Sequence, residues 1–137
     1  MWASINRFLL ISSILGDFDE ELSFIGDFVN VRAYGVAGQI YSKGTTMLVI
    51  KNFKYNGQAP AGVFWVGTEG SEPSYIGIQL VAEDQKDPGR LEAYFGNQPD
   101  IELTLPTGIE ISDLKWISVW CKTFNVVLGE LIIENWK

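Results

Sequence analysis

The chemistry open to this chain starts from one sulfur. Cys121 is the single cysteine among 137 residues, and histidine is absent altogether. Without histidine the commonest general base, zinc ligand and haem ligand are all missing. A Ser-His-Asp triad cannot be assembled, and one cysteine rules out an internal disulfide, a CxxC redox pair and a four-cysteine zinc site within these residues. What remains for Cys121 is to be buried, ligating, reactive, or paired with another molecule.

Its surroundings are Trp116-Ile117-Ser118-Val119-Trp120-Cys121. In an extended strand, period two puts Ile117, Val119 and Cys121 on one face and Trp116, Ser118 and Trp120 on the other. The sulfur therefore shares an aliphatic face. Most free cysteines in that position are small core residues, and a thiol sealed among aliphatics is inert. Lys122 falls on the opposite face, too far round to favour a thiolate. Trp65, Trp116, Trp120 and Tyr55 are aromatic residues that pack or conduct near such a sulfur, and packing is the commoner use.

A second segment is Asn52-Phe53-Lys54-Tyr55-Asn56-Gly57-Gln58-Ala59-Pro60, leading into Phe64-Trp65-Val66-Gly67. Unbroken alternation from Thr46 to Phe53 places Asn52 on the side of Leu48 and Ile50. A buried amide there needs hydrogen-bond partners. Asn52 thus reads as holding a loop backbone, with pocket lining as its functional alternative. The acidic pairs Glu69 and Glu72, Asp84 and Asp87, and Glu110 and Asp113 have the oxygen chemistry for calcium or acid-base work, but read as loop charges. No dinucleotide fingerprint, phosphate loop or N-x-[ST] acceptor occurs.

These residues must be positioned by strands. From Leu22 onward, short runs rich in β-branched and aromatic residues alternate with Gly, Pro, Asn and Asp. Strands are expected at 24–29, 36–41, 46–53, 63–66, 75–81, 91–95, 101–105, 115–121 and 126–134. Ser42-Lys43-Gly44 reads as a hairpin connection, and Asn56-Gly57 as a tight turn between neighbouring strands. Glu83 to Gly89 is polar and turn-prone. The expected fold is all-β: a single antiparallel β-sandwich over residues 22–137, Greek-key or jelly-roll in character. Residues 1–21 read as a leader, either a signal peptide or a disordered or helical segment, because Arg7 precedes a short apolar run without an A-x-A site.

Composition narrows the partners. The net charge is -7, with only 10 Lys and Arg scattered singly. Nucleic acid is thereby disfavoured for want of a basic patch, and anionic membrane surfaces by repulsion. No apolar stretch nears the roughly 20 residues that span a bilayer.

Taken in order, Gly26-x-Phe28, Val36-x-Gly38, Asn52-Phe53-x-Tyr55-x-Gly57-x-x-Pro60, Phe64-Trp65-x-Gly67, Leu105-Pro106, Trp116-x-x-Val119-Trp120-Cys121 and the Gly129 strand resemble the DM-thirteen domain of the Skeletor and Knickkopf type, often found beside DOMON domains. The similarity runs from about Phe24 to Ile133. Ala61 departs from it, since the family often has Asp after the proline. The resemblance implies an extracellular or cell-surface β-rich module that transfers electrons through a characteristic cysteine, matched here by Cys121, acting as a thiol or as the ligand of a group such as haem. With no histidine, a haem would need the Cys121 thiolate, with Met47 opposite if the two converge. A naked thiol would cycle through sulfenic acid or a mixed disulfide whose second sulfur comes from a partner. The same resemblance also fits a noncatalytic extracellular-matrix module whose exposed aromatics meet polysaccharide or protein.

Overall fold

The computed structural model describes residues 21–133. The leader expected over residues 1–21 therefore lies almost wholly outside the described residues. Ten strands are arranged in two antiparallel sheets. The first contains β1 (Leu22–Asp27), β3 (Ala37–Lys43), β4 (Met47–Tyr55), β7 (Tyr94–Phe95) and β8 (Ile101–Thr104). Its order is β1-β3-β4, with β7 and β8 sharing the far side of β4 at opposite ends. The second contains β2 (Val29–Asn30), β5 (Gly62–Gly67), β6 (Ile78–Leu80), β9 (Trp116–Cys121) and β10 (Val126–Ile132), in the order β2-β10-β9-β5-β6. This is the expected sandwich.

The inner faces carry the core. Ile40, Leu48, Ile50, Phe53 and Tyr55 come from the first sheet, and Phe64, Val66, Ile117, Val119, Cys121 and Leu128 from the second. Inward alternation of apolar side chains on both sheets removes them from water together, which is what holds such a sandwich. A 3₁₀ turn, Ile111–Asp113, precedes β9 and is closed by Asp113 accepting the Glu110 backbone N–H at 2.9 Å. That pair of carboxylates caps a turn.

Strand β4 departs from simple alternation in a way that matters for the site. Ala37 pairs with Lys54 and Gln39 with Lys51, so Asn52 and Phe53 together face Gly38. One extra residue of this kind is a β-bulge, and here Asn52 takes a left-handed conformation at φ 56°. Gly38, at φ 144°, lies against the Phe53 backbone, where a Cβ would come within 3.2 Å of Cα. The expectation that Asn52 shares the side of Leu48 and Ile50 is therefore corrected. Its amide is exposed and donates to Gln39 Oε1 at 2.7 Å. The bulge resets the phase of the strand, so that Phe53 and Tyr55 turn inward where unbroken alternation would have put Asn52 and Lys54. Asparagine suits the position because it tolerates the left-handed region better than most residues. Asn52→Val should lower the stability read from urea unfolding by about 1–3 kcal/mol, while Asn52→Gly should stay close to wild type.

Other expectations are adjusted by tertiary structure. The β3–β4 hairpin exists, turning at Gly44 to Thr46 and closed by Lys43 opposite Met47. Asn56-Gly57, by contrast, links strands of different sheets. Gly57 keeps its positive φ of 75°, and its bare Cα lies against the Ala93 backbone. The expected strand 91–95 shrinks to Tyr94–Phe95, because Leu91 serves elsewhere.

Candidate functional site

Alternation along β9 is as expected. Ile117, Val119 and Cys121 enter the inner core, whereas Trp116, Ser118 and Trp120 form the opposite layer. That outer layer is also buried, because the segment after β5 folds across it. Trp116 Nε1 donates to the Glu69 carbonyl at 2.9 Å, Trp65 Nε1 to the Ser74 carbonyl at 2.9 Å, and Ser118 Oγ to the Trp65 carbonyl at 2.9 Å. Gly67 and Gly77 leave room for the Trp116 and Trp65 rings. Trp65 stacks on Trp120 with centroids 6.2 Å apart, and Lys122 Nζ stands 5.9 Å over Trp65. The three tryptophans are thus separated from Cys121 by the thickness of the sheet itself. They build a wall behind the sulfur.

Cys121 is the last residue of β9, fully buried at 0% exposure. A turn follows at once, in which Asn125, at φ 59°, donates its N–H to the Cys121 carbonyl at 2.7 Å. Directly across the ladder from Cys121 stands Gly62. Glycine is required there because the Tyr55 hydroxyl occupies the place its Cβ would take, with Leu128 on the other flank. Cross-strand neighbours have Cβ positions about 4.5–5.5 Å apart, so the Tyr55 hydroxyl and the Cys121 sulfur share one compartment. The β4 bulge is what aims Tyr55 into it.

Tyr55 is itself almost fully buried, at 1% exposure, and its hydroxyl has no hydrogen-bond partner. Burial pushes the phenol pKa up from its ordinary value. The Ala59 backbone works the other way without completing a bond of ordinary geometry, while negative charge on the Cys121 sulfur would raise it further. An unbonded buried hydroxyl costs about 1–3 kcal/mol. Among the described residues, Tyr55 and Cys121 are the two members of the inner core with a titratable proton, and both lie beside Gly62 without a hydrogen bond between them.

The compartment lies at one end of the sandwich, closed by two loops without regular structure. Residues 56–61 carry the buried Ala59, and the strap 83–93 delivers Leu91 into the core. The closure is held by Leu91 N–H to the Gly62 carbonyl at 2.7 Å, Arg90 Nη2 to the Gly57 carbonyl at 2.8 Å, and Lys122 N–H to the Ala61 carbonyl at 3.0 Å. Sequence reasoning missed Gly62 and Leu91. Neither residue type signals chemistry, and only the sheet order β9-β5 brings them beside Cys121.

A family model described as Electron transfer DM13 matches residues 27–133. The chain belongs to the DM13 family. Two fruit-fly proteins, Protein Skeletor isoforms B/C and isoforms D/E of Drosophila melanogaster, are each 36% identical to it over 100 residues. That stretch is 73% of this chain but only 12% and 6% of those proteins, so the DM13 chain spans a small part of their length. No solved structure matches it.

Haem, the group that the resemblance implies, does not fit these residues. Coordination needs open space over the sulfur, but Cys121 is fully buried and faces Gly62, whose own flank is occupied by Tyr55 and Leu128. Met47 does not supply a second ligand. It begins β4, whose nine residues end at Tyr55, which puts Met47 roughly 25 Å along the strand from the sulfur's compartment at about 3.3 Å per residue. A cleft of about 200 Å³ lies beneath Asp84–Arg90 and Tyr94, and neither Cys121 nor Tyr55 lines it. Among the described residues no group of three or more His, Cys, Asp or Glu side chains gathers in metal-binding fashion, and no helix is long and apolar enough to cross a membrane.

Proposed function

We propose that this DM13 domain is a redox module that works through Cys121 as a thiol, without a haem held on it. The supporting observation is the placement of the single sulfur: it shares a buried compartment with the one other titratable side chain of the core, behind loops instead of behind strands. Loop closure matters because segments lacking ladder hydrogen bonds open locally at lower free energy than the sheets do. Opening at that end would admit a small oxidant, or the thiol of a partner, without unfolding the sandwich. The oxidised sulfur would be a sulfenic acid or a mixed disulfide, since no second cysteine is available to resolve it. The reading extends to location: an extracellular or cell-surface setting, with another protein as electron partner, follows from the family resemblance.

The test is trapping. Native protein treated with hydrogen peroxide and a sulfenic-acid trap should gain one adduct, located at Cys121 and lost in Cys121→Ser, with no visible haem band before or after. A haem spectrum that vanishes in Cys121→Ser would overturn the thiol reading.

A second reading, binding of matrix polysaccharide, has one feature in its favour. Among the described tryptophans, Trp116 and Trp120 are buried and the half-buried Trp65 is stacked on Trp120, so they do not serve it. The outer face of the first sheet does offer an aromatic surface: Phe24, 56% exposed, meets the Tyr41 ring edge-on at 5.4 Å. Lys51 Nζ lies 5.9 Å over that ring and is paired with Asp100 at 2.7 Å. A flat ring flanked by polar groups matches the alternating apolar and hydroxyl faces of a sugar chain. Under this reading Phe24→Ala loses retention on a chitin column while its unfolding midpoint is unchanged. Equal elution of the two proteins would remove the idea.

A further inference from the structure

We propose that Tyr55 is the proton partner of Cys121, taking the thiol proton as the sulfur is oxidised and returning its own phenol proton to the departing oxygen. The inference rests on the thiol reading above and names the second residue of that site.

Three observations carry it. The Tyr55 hydroxyl is buried and without a hydrogen-bond partner, an arrangement that a phenylalanine of the same shape would avoid. It lies over Gly62, the residue opposite Cys121, in a space kept open by the missing side chain. Every other side chain of the inner core is hydrocarbon. A thiol in such surroundings has two ways to react. It can react as a thiolate, or it can lose its proton in step with bond formation. The second route needs a neighbour that both accepts and donates, and a hydroxyl does both. With histidine absent, Tyr55 is the side chain in place to do so.

The step balances with a peroxide as oxidant. The sulfur attacks one oxygen of H₂O₂, an S–O bond forms and the O–O bond breaks. The Tyr55 hydroxyl is not hydrogen-bonded to the sulfur in the closed domain and must move onto it as the end loops open; the thiol proton then moves to the Tyr55 oxygen while the Tyr55 phenol proton moves to the leaving hydroxide. The products are Cys121 sulfenic acid, one water and an unchanged Tyr55. Sulfur gives up two electrons, which the peroxide oxygens take. No ionised group is left in the core.

The experiment compares sulfenic-acid formation by hydrogen peroxide in wild type and Tyr55→Phe across pH, with Cys121→Ser as the blank. Urea unfolding confirms that each variant is folded. Loss of a proton partner should slow oxidation by about 10²-fold or more and make the remaining rate climb with pH, as reaction through thiolate takes over. Hydrogen exchange of the Cys121 amide should be the same in both proteins, which separates the proton role from a change in opening. If Tyr55→Phe fails to fold, the wild-type rate in heavy water replaces it: a clear slowing supports the step, and an equal rate overturns it. Oxidation of Tyr55→Phe within about threefold of wild type, with the same pH profile, overturns the inference while leaving the thiol reading standing. Absence of oxidation in the native wild type defeats both.

Discussion

Replacing Gly62 with alanine is expected to lower stability by about 2 kcal/mol, and adding Tyr55→Phe in the same chain is expected to recover a good part of that loss. The added methyl meets the Tyr55 hydroxyl and then the ring carbon that bears it, at 3.1 Å. Forcing an extra carbon into a packed core costs about 1–3 kcal/mol, because rings and backbone must leave their minima. Removing the hydroxyl relieves the nearer contact, and it also deletes an unpartnered buried polar atom. Tyr55→Phe alone should therefore be neutral or stabilising. The pair should show a coupling energy beyond the few tenths of a kcal/mol seen between independent sites. A urea double-mutant cycle measures it, and simple additivity would mean that Gly62 and Tyr55 do not share the space. A pH series adds a check with a definite sign. Tyr55 holds its proton more tightly when folded, so its contribution is present below the phenol's ordinary value of 10.0 and is lost as pH rises above it. Tyr55→Phe should flatten that alkaline decline in part, with Tyr94, also raised chiefly by burial, supplying the remainder.

The second large effect concerns the thiol itself. A bulky aromatic disulfide reagent should modify Cys121 in the native protein at least about 10³-fold more slowly than in the denatured chain. At 0% exposure the sulfur can react only from an opened state, and global unfolding constants for domains are of order 10³–10⁸. Leu91→Ala should raise the native rate, because it thins the plug that the strap presses into the core beside Gly62. Stopped-flow absorbance gives both rates. Rapid labelling of the wild type would show that the sulfur is reachable without opening and that the compartment is not closed as described.

Much of this was legible in the residue order. Alternation in Trp116 to Cys121 gave the correct face for the sulfur, and the spacing of turn residues gave the sandwich and most strand positions. The pattern failed where one residue's backbone broke the period. Asn52 looks like any polar residue in a strand until its pairing with Gly38 reveals the bulge, and that bulge decides which way Tyr55 points. Met47 has the residue type of a second ligand only on condition that it converges with Cys121, and strand length takes it to the other end of the sandwich. The tryptophans read first as packing residues, but what they pack against was not legible. Their glycine partners Gly67 and Gly77 show why they are covered, a packing relation between segments far apart in the chain. Gly62 and Leu91 carried no signal at all, because a glycine opposite a cysteine has meaning only once the strands are paired.

The most direct test of a working thiol at Cys121 is the urea dependence of its reaction with a small neutral alkylating reagent, measured well below the unfolding transition. Opening confined to the two end loops exposes little surface, so the logarithm of the rate should change only weakly with urea there and join the global unfolding line near the midpoint. A slope equal to the full equilibrium m-value down to zero urea would mean that the sulfur is reached only by unfolding the whole sandwich, and Cys121 would then be a packing residue with no redox role.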